Sequence, residues 1–271
     1  VNDTLSLKRA DIGVAMGLNG SKVAQEAANI ILLDDNFSTI GLAVKEGRTI
    51  FRNLEKTIKT NLSSNIAELT CVLAGFAGAF AGIATPIFAV QILLIDMIGE
   101  MFPLIMLTYD PPEKRMMEMP PRNPKDKILT KETMAGILFN GAVMGLASYG
   151  AFLAEYFHNH HLANHYEKAM TVTFVSIVFC QYANLLSRRT YGPALGKYLL
   201  SNQSLLFAFS LSFSLMLLII YVPVFNLYFH TSSLMPIDWL FPLAAGVLCL
   251  TIYEYRKKRN TKKDENGTST S

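Results

Sequence analysis

Long apolar runs separated by short polar segments dominate the chain from residue 60 onward. Each run is near the roughly 20 residues that an α-helix needs to cross the hydrocarbon layer of a membrane. The runs lie at about 60–82, 86–108, 133–157, 168–187, 203–222 and 237–254. The pattern therefore predicts a mainly α protein with a polytopic six-helix transmembrane bundle at 60–254.

Basic side chains fall almost entirely on one side of this predicted bundle. All Lys and Arg residues except Lys168 lie in residues 1–59, in the segments 109–132 and 188–202, or after the last apolar run. Because cytoplasmic loops are enriched in Lys and Arg, both termini are predicted to face the cytoplasm. An odd number of spans would mix the basic loops between the two sides, so the charge pattern also favours six.

Residues 1–46 have a different character from the bundle. Short β-prone runs at 12–16 and 30–33 flank a helical stretch at 21–29, which is an α/β pattern. Such a segment is too short to bury a core of its own. We interpret it as the C-terminal part of a larger domain whose other elements lie upstream of Val1.

Two polar segments border the bundle. Residues 47–59 lack proline and contain a Glu55–Lys59 pair, so they are predicted to form a cytoplasmic stalk helix that continues unbroken into the first span. The tail at 255–271 begins with basic residues suited to anionic lipid and then becomes polar. It is predicted to be disordered.

The composition agrees with a membrane protein and argues against other kinds of site. Hydrophobic residues make up 51% of the chain, which is more than an ordinary soluble domain contains. The cysteines, Cys71, Cys180 and Cys249, lie singly in apolar runs, which argues against a disulfide framework or a zinc site. No nucleic-acid partner is indicated, and the expected partners are the lipid bilayer and the missing N-terminal domains.

Three carboxylates, Glu68, Asp96 and Glu100, lie well inside the apolar runs. Each would cost roughly 2.5–3.5 kcal/mol at the middle of the bilayer if it faced lipid. Asp96 and Glu100 are four residues apart and share a helix face, as do Ser64 and Glu68. Two neighbouring helices can therefore direct oxygen atoms to one point, where a metal cation or protons would neutralise the acids.

Further oxygen ligands for this point can be suggested. Asn65 lies three residues before Glu68, and Pro103 has no N–H to offer the carbonyl of Gly99, which leaves that carbonyl free. Gln181 and Asn184 are three residues apart and could complete a second cation subsite, although a structural hydrogen bond would explain them nearly as well.

Other polar features have simpler explanations. The three carboxylates could instead form hydrogen-bonded contacts between helices with Asn65 and Gln181, but Ser, Thr and Asn are the usual residues in that role. The histidines between the third and fourth runs could bind a metal, but their pattern favours solvated side chains. The Gly-x-x-x-Gly pairs at 78/82 and 141/145 indicate close helix packing.

Several motifs resemble the P-type ATPase family. Residues 1–3 and 10–17 are similar to the end of its hinge motif, G-D-G-V-N-D, and the strand that follows. The Ser-Asn-Ile-x-Glu sequence at 64–68 resembles the fifth membrane segment of the type II pumps. The Pro-Pro-Arg-Asn-Pro sequence at 120–124 resembles the loop between their sixth and seventh segments.

The resemblance implies the cation-transport part of an ATP-driven pump. Residues 1–46 would be the C-terminal piece of a HAD-like phosphorylation domain, in which Asn2 and Asp3 support the phosphate and Mg²⁺ region. The intact protein would use ATP and Mg²⁺ to phosphorylate an upstream Asp. This chain lacks that Asp and the nucleotide-binding domain, so alone it should be inactive. The resemblance also implies that the helix is unwound around Gly99.

The resemblance leaves the transported ion open between Ca²⁺ and the Na⁺/K⁺ pair. Asp96 resembles the sodium/potassium type, whereas Gly99 and Glu100 fit neither pattern. The short outer loops look like those of bacterial calcium-type relatives, which favours the bacterial plasma membrane. They also offer little surface for an accessory subunit.

Two other function classes fit part of the pattern. A secondary cation transporter or channel would also bury carboxylates, but it would have no reason for the hinge-like sequence at 1–17. A non-catalytic accessory membrane protein would be favoured if the reading frame began near Val1.

Overall fold

The computed structural model describes residues 3–113, 116–118, 120–123, 127–159, 161, 164–190 and 199–268, with side chains up to residue 260. The chain divides into two compact units. The first unit is Val1–Phe51 with Pro112–Pro121, and the second unit is Arg52–Pro111 with Arg122–Ser271.

The first unit contains a small parallel sheet with helices. Its elements are α1 (Thr4–Arg9), β1 (Val14–Met16), α2 (Lys22–Ala27) and β2 (Ile30–Leu32), with Val14 paired to Ile30 and Met16 to Leu32. The Ser21 hydroxyl caps α2 by accepting a hydrogen bond from the backbone N–H of Ala24. The predicted strand–helix–strand order is confirmed, whereas α1 was not predicted.

A single long helix, α3 (Ser38–Ala79), contains the predicted stalk and most of the first predicted span. The absence of proline allows this continuity. The helix ends before residue 82, because Gly82 adopts a positive φ of 77°. Gly82 lies beyond the helix and has no packing role, but Gly78 keeps the predicted one, since a Cβ added there would meet the Tyr149 hydroxyl.

The second span is interrupted by a wider turn. It consists of α4 (Ala89–Leu94), a π-helical segment (Ile95–Glu100, the π segment) and α5 (Met101–Thr108). The backbone N–H of Met101 donates to the carbonyl of Asp96, five residues earlier. The span is therefore hydrogen-bonded through the turn that the resemblance implied to be unwound.

Five described helices are long and apolar enough to cross a membrane. They are α3, the helix made by α4, the π segment and α5, and then α6 (Lys131–His158), α7 (His165–Arg189) and α8 (Gln203–Tyr221). A short 3₁₀ turn (Leu199–Ser201) precedes α8, and α9 (Pro223–Phe229) follows it.

The sixth predicted span coincides with α10 (Leu240–Thr268), which does not reach the same apolar length. Its apolar part, 240–253, is followed by a charged stretch in the same helix. The helix continues to Thr268, so the prediction of a disordered tail at 255–271 was wrong over most of that range. Lys, Arg and Glu are good helix formers and can extend a helix that has already begun.

The core of the second unit is built around α7, which is the most buried of the spans. It packs against α6, α10, α8 and the π segment. A Cβ on Gly141 of α6 would lie 2.6 Å from Ile66 Cβ, and one on Gly145 would lie 2.4 Å from the carbonyl oxygen of Ala67. The predicted packing role of the 141/145 glycine pair is thereby confirmed, because only glycine permits this approach of α6 to α3.

Candidate functional site

Glu68 lies on the buried face of α3. Glu68 is 7% exposed, and Ser64, Ala67 and Cys71 on the same face are fully buried. The spacing of these residues, three and four apart, is the spacing of one helix face. Helical periodicity thus directs Ser64 and Glu68 into the protein, as predicted.

The π segment positions the second group of candidate residues. Glu100 is 3% exposed and Gly99 is also buried, whereas Asp96 is half-buried. Pro103, within the following turn of α5, offers no N–H to the Gly99 carbonyl, so regular α-helical bonding is broken here. π-helical turns of this kind occur frequently at functional sites.

The carboxylates have separate neighbours. Glu68 lies beside Asp96, close enough for a side-chain hydrogen bond when one of the two carries a proton. Glu100 lies beside the Ser64 hydroxyl. On its other side, Gln181 of α7 donates a hydrogen bond from Nε2 to Glu100 Oε2 over 3.2 Å. Side chains from α3, the π segment and α7 therefore meet in one region.

Three oxygen atoms in this region are buried and lack a hydrogen-bond partner among the described residues. They are Oε1 of Glu68, Oε1 of Glu100 and Oε1 of Gln181. Unpartnered buried acceptors are costly and are usually satisfied by a ligand, an ion or water. Carboxylate and amide oxygens of this kind are the ligands that hard cations prefer.

The predicted centre of three metal-binding carboxylates is not assembled in this structure. No group of three or more His, Cys, Asp or Glu side chains among the described residues has the geometry to hold a metal ion. The reason is that Glu68 is directed to Asp96, whereas Glu100 is directed to Ser64 and Gln181. The arrangement is a Glu68–Asp96 pair beside a group of Glu100, Ser64 and Gln181 in place of one cluster of carboxylates.

Gly99 has a packing role in addition to the predicted carbonyl role. A Cβ at this position would lie 2.8 Å from Val178 Cγ2 and 3.6 Å from Gln181 Oε1. The absence of a side chain therefore allows the π segment to approach α7 closely enough for Gln181 to reach Glu100.

Asn65 does not join the site. It is exposed and lies on the same stripe of α3 as Leu69, Val72 and Phe76, which are also exposed. A position three residues from Glu68 is near the edge of its face, and the packing of α3 leaves Asn65 outside. The predicted ligand role of Asn65 is therefore not supported by its position.

Asn184 is fully buried but belongs to a different network. Its Oδ1 accepts a hydrogen bond of 2.9 Å from Arg188 Nε, and its Nδ2 lies 3.5 Å from the carbonyl oxygen of Thr60. Arg188 also donates to the Ser63 hydroxyl over 2.8 Å. The Asn184 side-chain oxygen, which was predicted to bind a second cation, is therefore hydrogen-bonded to the Arg188 guanidinium.

The predicted catalytic residues belong to the first unit. Asp3 is exposed at the start of α1, where its carbonyl accepts a hydrogen bond from the Leu7 N–H and its side chain forms no capping bond. Asn2 lies outside the described residues.

Comparison with known proteins identifies the family of the chain. Residues 84–259 match the family described as "Cation transporting ATPase, C-terminus". The chain belongs to this family. The resemblance noted in the sequence is thereby confirmed, and the chain corresponds to a C-terminal portion of a type II P-type ATPase.

Relatives in distant organisms agree with this assignment. The chain is 34% identical over 248 residues to a calcium-transporting ATPase of Bacillus subtilis. These aligned residues cover 92% of the chain and 27% of that protein. It is 36% identical over 259 residues to the human calcium-transporting ATPase type 2C member 1, covering 95% of the chain and 27% of the relative.

A sodium/potassium-transporting ATPase subunit alpha-4 of Rattus norvegicus is 34% identical over 291 residues, covering 95% of the chain and 28% of the relative. The chain thus spans less than a third of the length of these relatives. Together with the family match, the five apolar helices show that the chain is part of a multi-pass membrane protein.

Sequence reasoning missed a buried ionic cluster, which we name the distal cluster: Glu155, Lys168 and Asp238. Lys168 Nζ lies 2.7 Å from Asp238 Oδ2 and 3.9 Å from Glu155 Oε1. The signal was present, because Lys168 is the single exception to the charge asymmetry and Glu155 lies inside an apolar run. Lys168 was noted only as the single basic residue on the outer side, and Glu155 was not singled out.

A second buried ion pair joins Arg189, at the end of α7, to Asp110, which follows α5. Arg189 Nε donates to Asp110 Oδ1 over 2.8 Å, and Asn202 Nδ2 donates to the same oxygen over 3.0 Å. Asn53 of α3 donates to the backbone carbonyl of Asp110 over 2.7 Å. This network connects the ends of several helices and explains why Arg189 can be buried.

The histidines near the α6–α7 connection do not form a metal site among the described residues. His158 contacts the Phe241 ring, and His165 contacts the Tyr156 ring. His161 is exposed, and His160 lies outside the described residues.

Proposed function

We propose that this chain is the cation-transport part of an ATP-driven P-type pump and that the carboxylate region binds the transported cation. The principal ligands are Glu68, Asp96 and Glu100, assisted by Ser64 and Gln181. The observation that carries the proposal is the set of buried oxygens on α3, the π segment and α7 that have no partner within the described part of the chain. Small movements of these three elements would bring the Glu68–Asp96 pair and Glu100 around one ion.

The Gly99 carbonyl is a further ligand in this proposal. The residue is buried beside the Gln181 side chain, and Pro103 cannot close its α-helical hydrogen bond. Backbone carbonyls at membrane depth are tolerated where they line a cavity or bind an ion. Asn65 and Asn184 are not part of the proposed site, for the positional reasons given above.

We further propose that α10 is the sixth membrane span and that both termini face the cytoplasm. The basic residues at 256–259 follow the apolar part of α10 directly, as expected for a span that ends at the cytoplasmic surface. The relatives named above support a similar location in a membrane, and short outer segments favour a bacterial plasma membrane.

In the intact protein, residues 1–46 would be the C-terminal piece of a HAD-like phosphorylation domain. Asn2 and Asp3 would support the phosphate and Mg²⁺ region, and ATP and Mg²⁺ would be bound by the N-terminal domains. On this proposal, the chain alone does not hydrolyse ATP. Membership of an ATPase family disfavours the alternatives of a secondary transporter, a channel or an accessory membrane protein.

Calcium is our first candidate for the transported ion. Calcium-transporting ATPases of bacteria and animals are among the similar proteins, although a sodium/potassium-transporting ATPase is as well. A set of carboxylate, amide and carbonyl oxygens suits Ca²⁺. A Na⁺/K⁺ pump is the second candidate.

The ion-dependence of phosphorylation by ATP tests these proposals in the full-length pump. Phosphoenzyme should form when micromolar Ca²⁺ is added and not with Na⁺ or K⁺ alone. Activation by Na⁺ without Ca²⁺ would replace the first candidate by the second. Phosphorylation that needs no metal cation other than Mg²⁺ would contradict a pump of either type.

A further inference from the structure

The distal cluster lies at the end of the bundle formed by the C-terminus of α6, the N-terminus of α7 and the residues before α10. Its three members are deeply buried, because the side chains of Glu155 and Asp238 are 0% exposed and that of Lys168 is 3% exposed. It shares no residue with the proposed cation site. It joins three elements that are distant in sequence.

The charges of the distal cluster do not balance. Two carboxylates and one ammonium group carry a net charge of −1 when all are ionised. An uncompensated charge in a buried position is strongly unfavourable. One additional positive charge would remove the imbalance.

The hydrogen bonds of the distal cluster leave one oxygen of each carboxyl group without a partner. Asp238 Oδ2 receives the Lys168 ammonium and, over 2.6 Å, the Met235 N–H. Glu155 Oε1 receives Asn159 Nδ2 over 2.6 Å and faces Lys168. The other oxygens, Glu155 Oε2 and Asp238 Oδ1, are buried and have no partner among the described residues.

We propose that Glu155 carries a proton beside the Lys168–Asp238 ion pair, so that the distal cluster is a proton-binding site. Glu155 is the proton carrier because Lys168 Nζ lies 3.9 Å from its Oε1 but only 2.7 Å from Asp238 Oδ2. Its Oε2 is buried without a partner among the described residues. The proton brings the net charge of the cluster to zero.

Few other titratable groups face the distal cluster. His158 on α6 interacts electrostatically with Glu155, and His165 begins α7 with its ring against Tyr156. Glu167 on α7 is exposed, and α10 brings no carboxylate, histidine or basic residue before Glu254. Glu155 is therefore the group whose proton occupancy determines the charge of the cluster.

The proposed proton has a mechanical consequence. With the proton bound, the distal ends of α6, α7 and α10 are held together by a neutral cluster. When the proton leaves at high pH, the two carboxylates repel each other and these ends separate more easily. The site thus makes the stability of this end of the bundle depend on pH, with stability lost as pH rises because the folded state binds the additional proton.

The thermal unfolding midpoint of the full-length pump, measured as a function of pH, tests this inference. Glu155→Gln places an amide N–H where the proposed O–H lies, so its midpoint should equal that of the wild type at pH 7. The wild type should lose stability toward alkaline pH, and Glu155→Gln should lose less. Glu167→Gln, which changes an exposed carboxylate on the same end of α7, should follow the wild-type curve.

Two results would overturn the proposal that Glu155 carries a proton. A Glu155→Gln pump that unfolds at a lower temperature than the wild type at pH 7, or that does not fold, would show that Glu155 is an ionised partner of Lys168. A wild-type midpoint that rises with Na⁺ at fixed alkaline pH, while that of Glu155→Gln does not, would show that a metal cation occupies the position instead. Infrared spectra provide an independent readout, since the wild type should show a protonated-carboxyl band at pH 7 that Glu155→Gln lacks.

Discussion

Gln181 on α7 donates a hydrogen bond from Nε2 to Glu100 Oε2 on the π segment over 3.2 Å. Asn184, on the same helix, is instead bonded to Arg188. Two buried amides that looked equivalent in the sequence therefore have different partners. This difference provides a matched pair of variants for the proposed cation site.

Gln181→Leu should weaken cation activation, because it removes the hydrogen bond to a buried carboxylate and one candidate ligand oxygen. Hydrogen bonds to charged groups contribute about 1.5–3 kcal/mol, so the half-activating cation concentration should rise about tenfold or more. Phosphorylation by ATP at graded cation concentrations measures this. Asn184→Leu is the control, and its half-activating concentration should remain near that of the wild type. Equal effects of the two variants would contradict the assignment.

Glu68→Gln and Asp96→Asn should each abolish cation-activated phosphorylation by ATP while preserving expression. Each substitution removes a charged ligand and keeps the side-chain volume, so no packing void is created. Cation-dependent phosphoenzyme formation in full-length pumps checks this, with phosphorylation by inorganic phosphate as the control for an intact fold. Normal cation dependence in either variant would refute the proposed site.

Gly99→Ala should destabilise the membrane domain, because its Cβ would lie 2.8 Å from Val178 Cγ2. Overpacking of this kind costs about 1–3 kcal/mol. Val178→Ala in the same protein should restore much of the thermal stability, since it removes the obstructing methyl groups. If Gly99→Ala alone leaves the unfolding midpoint unchanged, the π segment does not pack against α7 as closely as described.

Pro103→Ala tests whether the backbone carbonyl of Gly99 is a ligand of the cation. The new N–H at 103 could bond the Gly99 carbonyl and withdraw it from the site. We expect a higher half-activating cation concentration with little change in expression. Superimposable activation curves for the variant and the wild type would mean that the Gly99 carbonyl is not a ligand.

The stability of the first unit should fall at acidic pH through Asp35. The backbone N–H groups of Leu18 and Asn19 donate to its carboxylate, and the Leu18 hydrogen bond lowers the pKa of Asp35 most strongly. Because the folded-state pKa is below its ordinary value, the stabilisation is present at neutral pH and is lost as pH falls through the lowered pKa.

Hydrogen exchange at residues 17–19 in the full-length protein measures this effect. Asp35→Asn should exchange faster than the wild type at neutral pH and should converge with it in acid. Asn is a suitable replacement because Asp35 has a positive φ of 50°, a conformation that Asn tolerates. A difference that persists unchanged in acid would exclude the carboxylate charge as its cause.

Cysteine-accessibility labelling tests the proposed orientation. Cysteines at His161 and Leu234 should react from outside the cell, whereas cysteines at Lys125 and Lys262 should react only from the cytoplasm. Leu234 is buried, so its reaction should be slower than that of the exposed His161. Reaction of position 125 from the outside would contradict the six-span topology.

The sequence alone determined the family, the positions of the apolar helices and the three membrane carboxylates. It also determined the strand–helix–strand order of the first unit and the continuity of α3. These features depend on local patterns: apolar length, helical periodicity, the positions of proline and glycine, and recognisable motifs. Such patterns act within one element and can be read without knowledge of its neighbours.

The tertiary structure decided which neighbour each helix face meets. It placed Asn65 outside the site and paired Asn184 with Arg188 through a hydrogen bond. It also brought Lys168 between Glu155 and Asp238. Periodicity groups residues on a face but does not fix the rotation of one helix against another. That rotation is set by close packing between helices, as at Gly99 and Val178, and a small change in it gives a buried polar group a different partner.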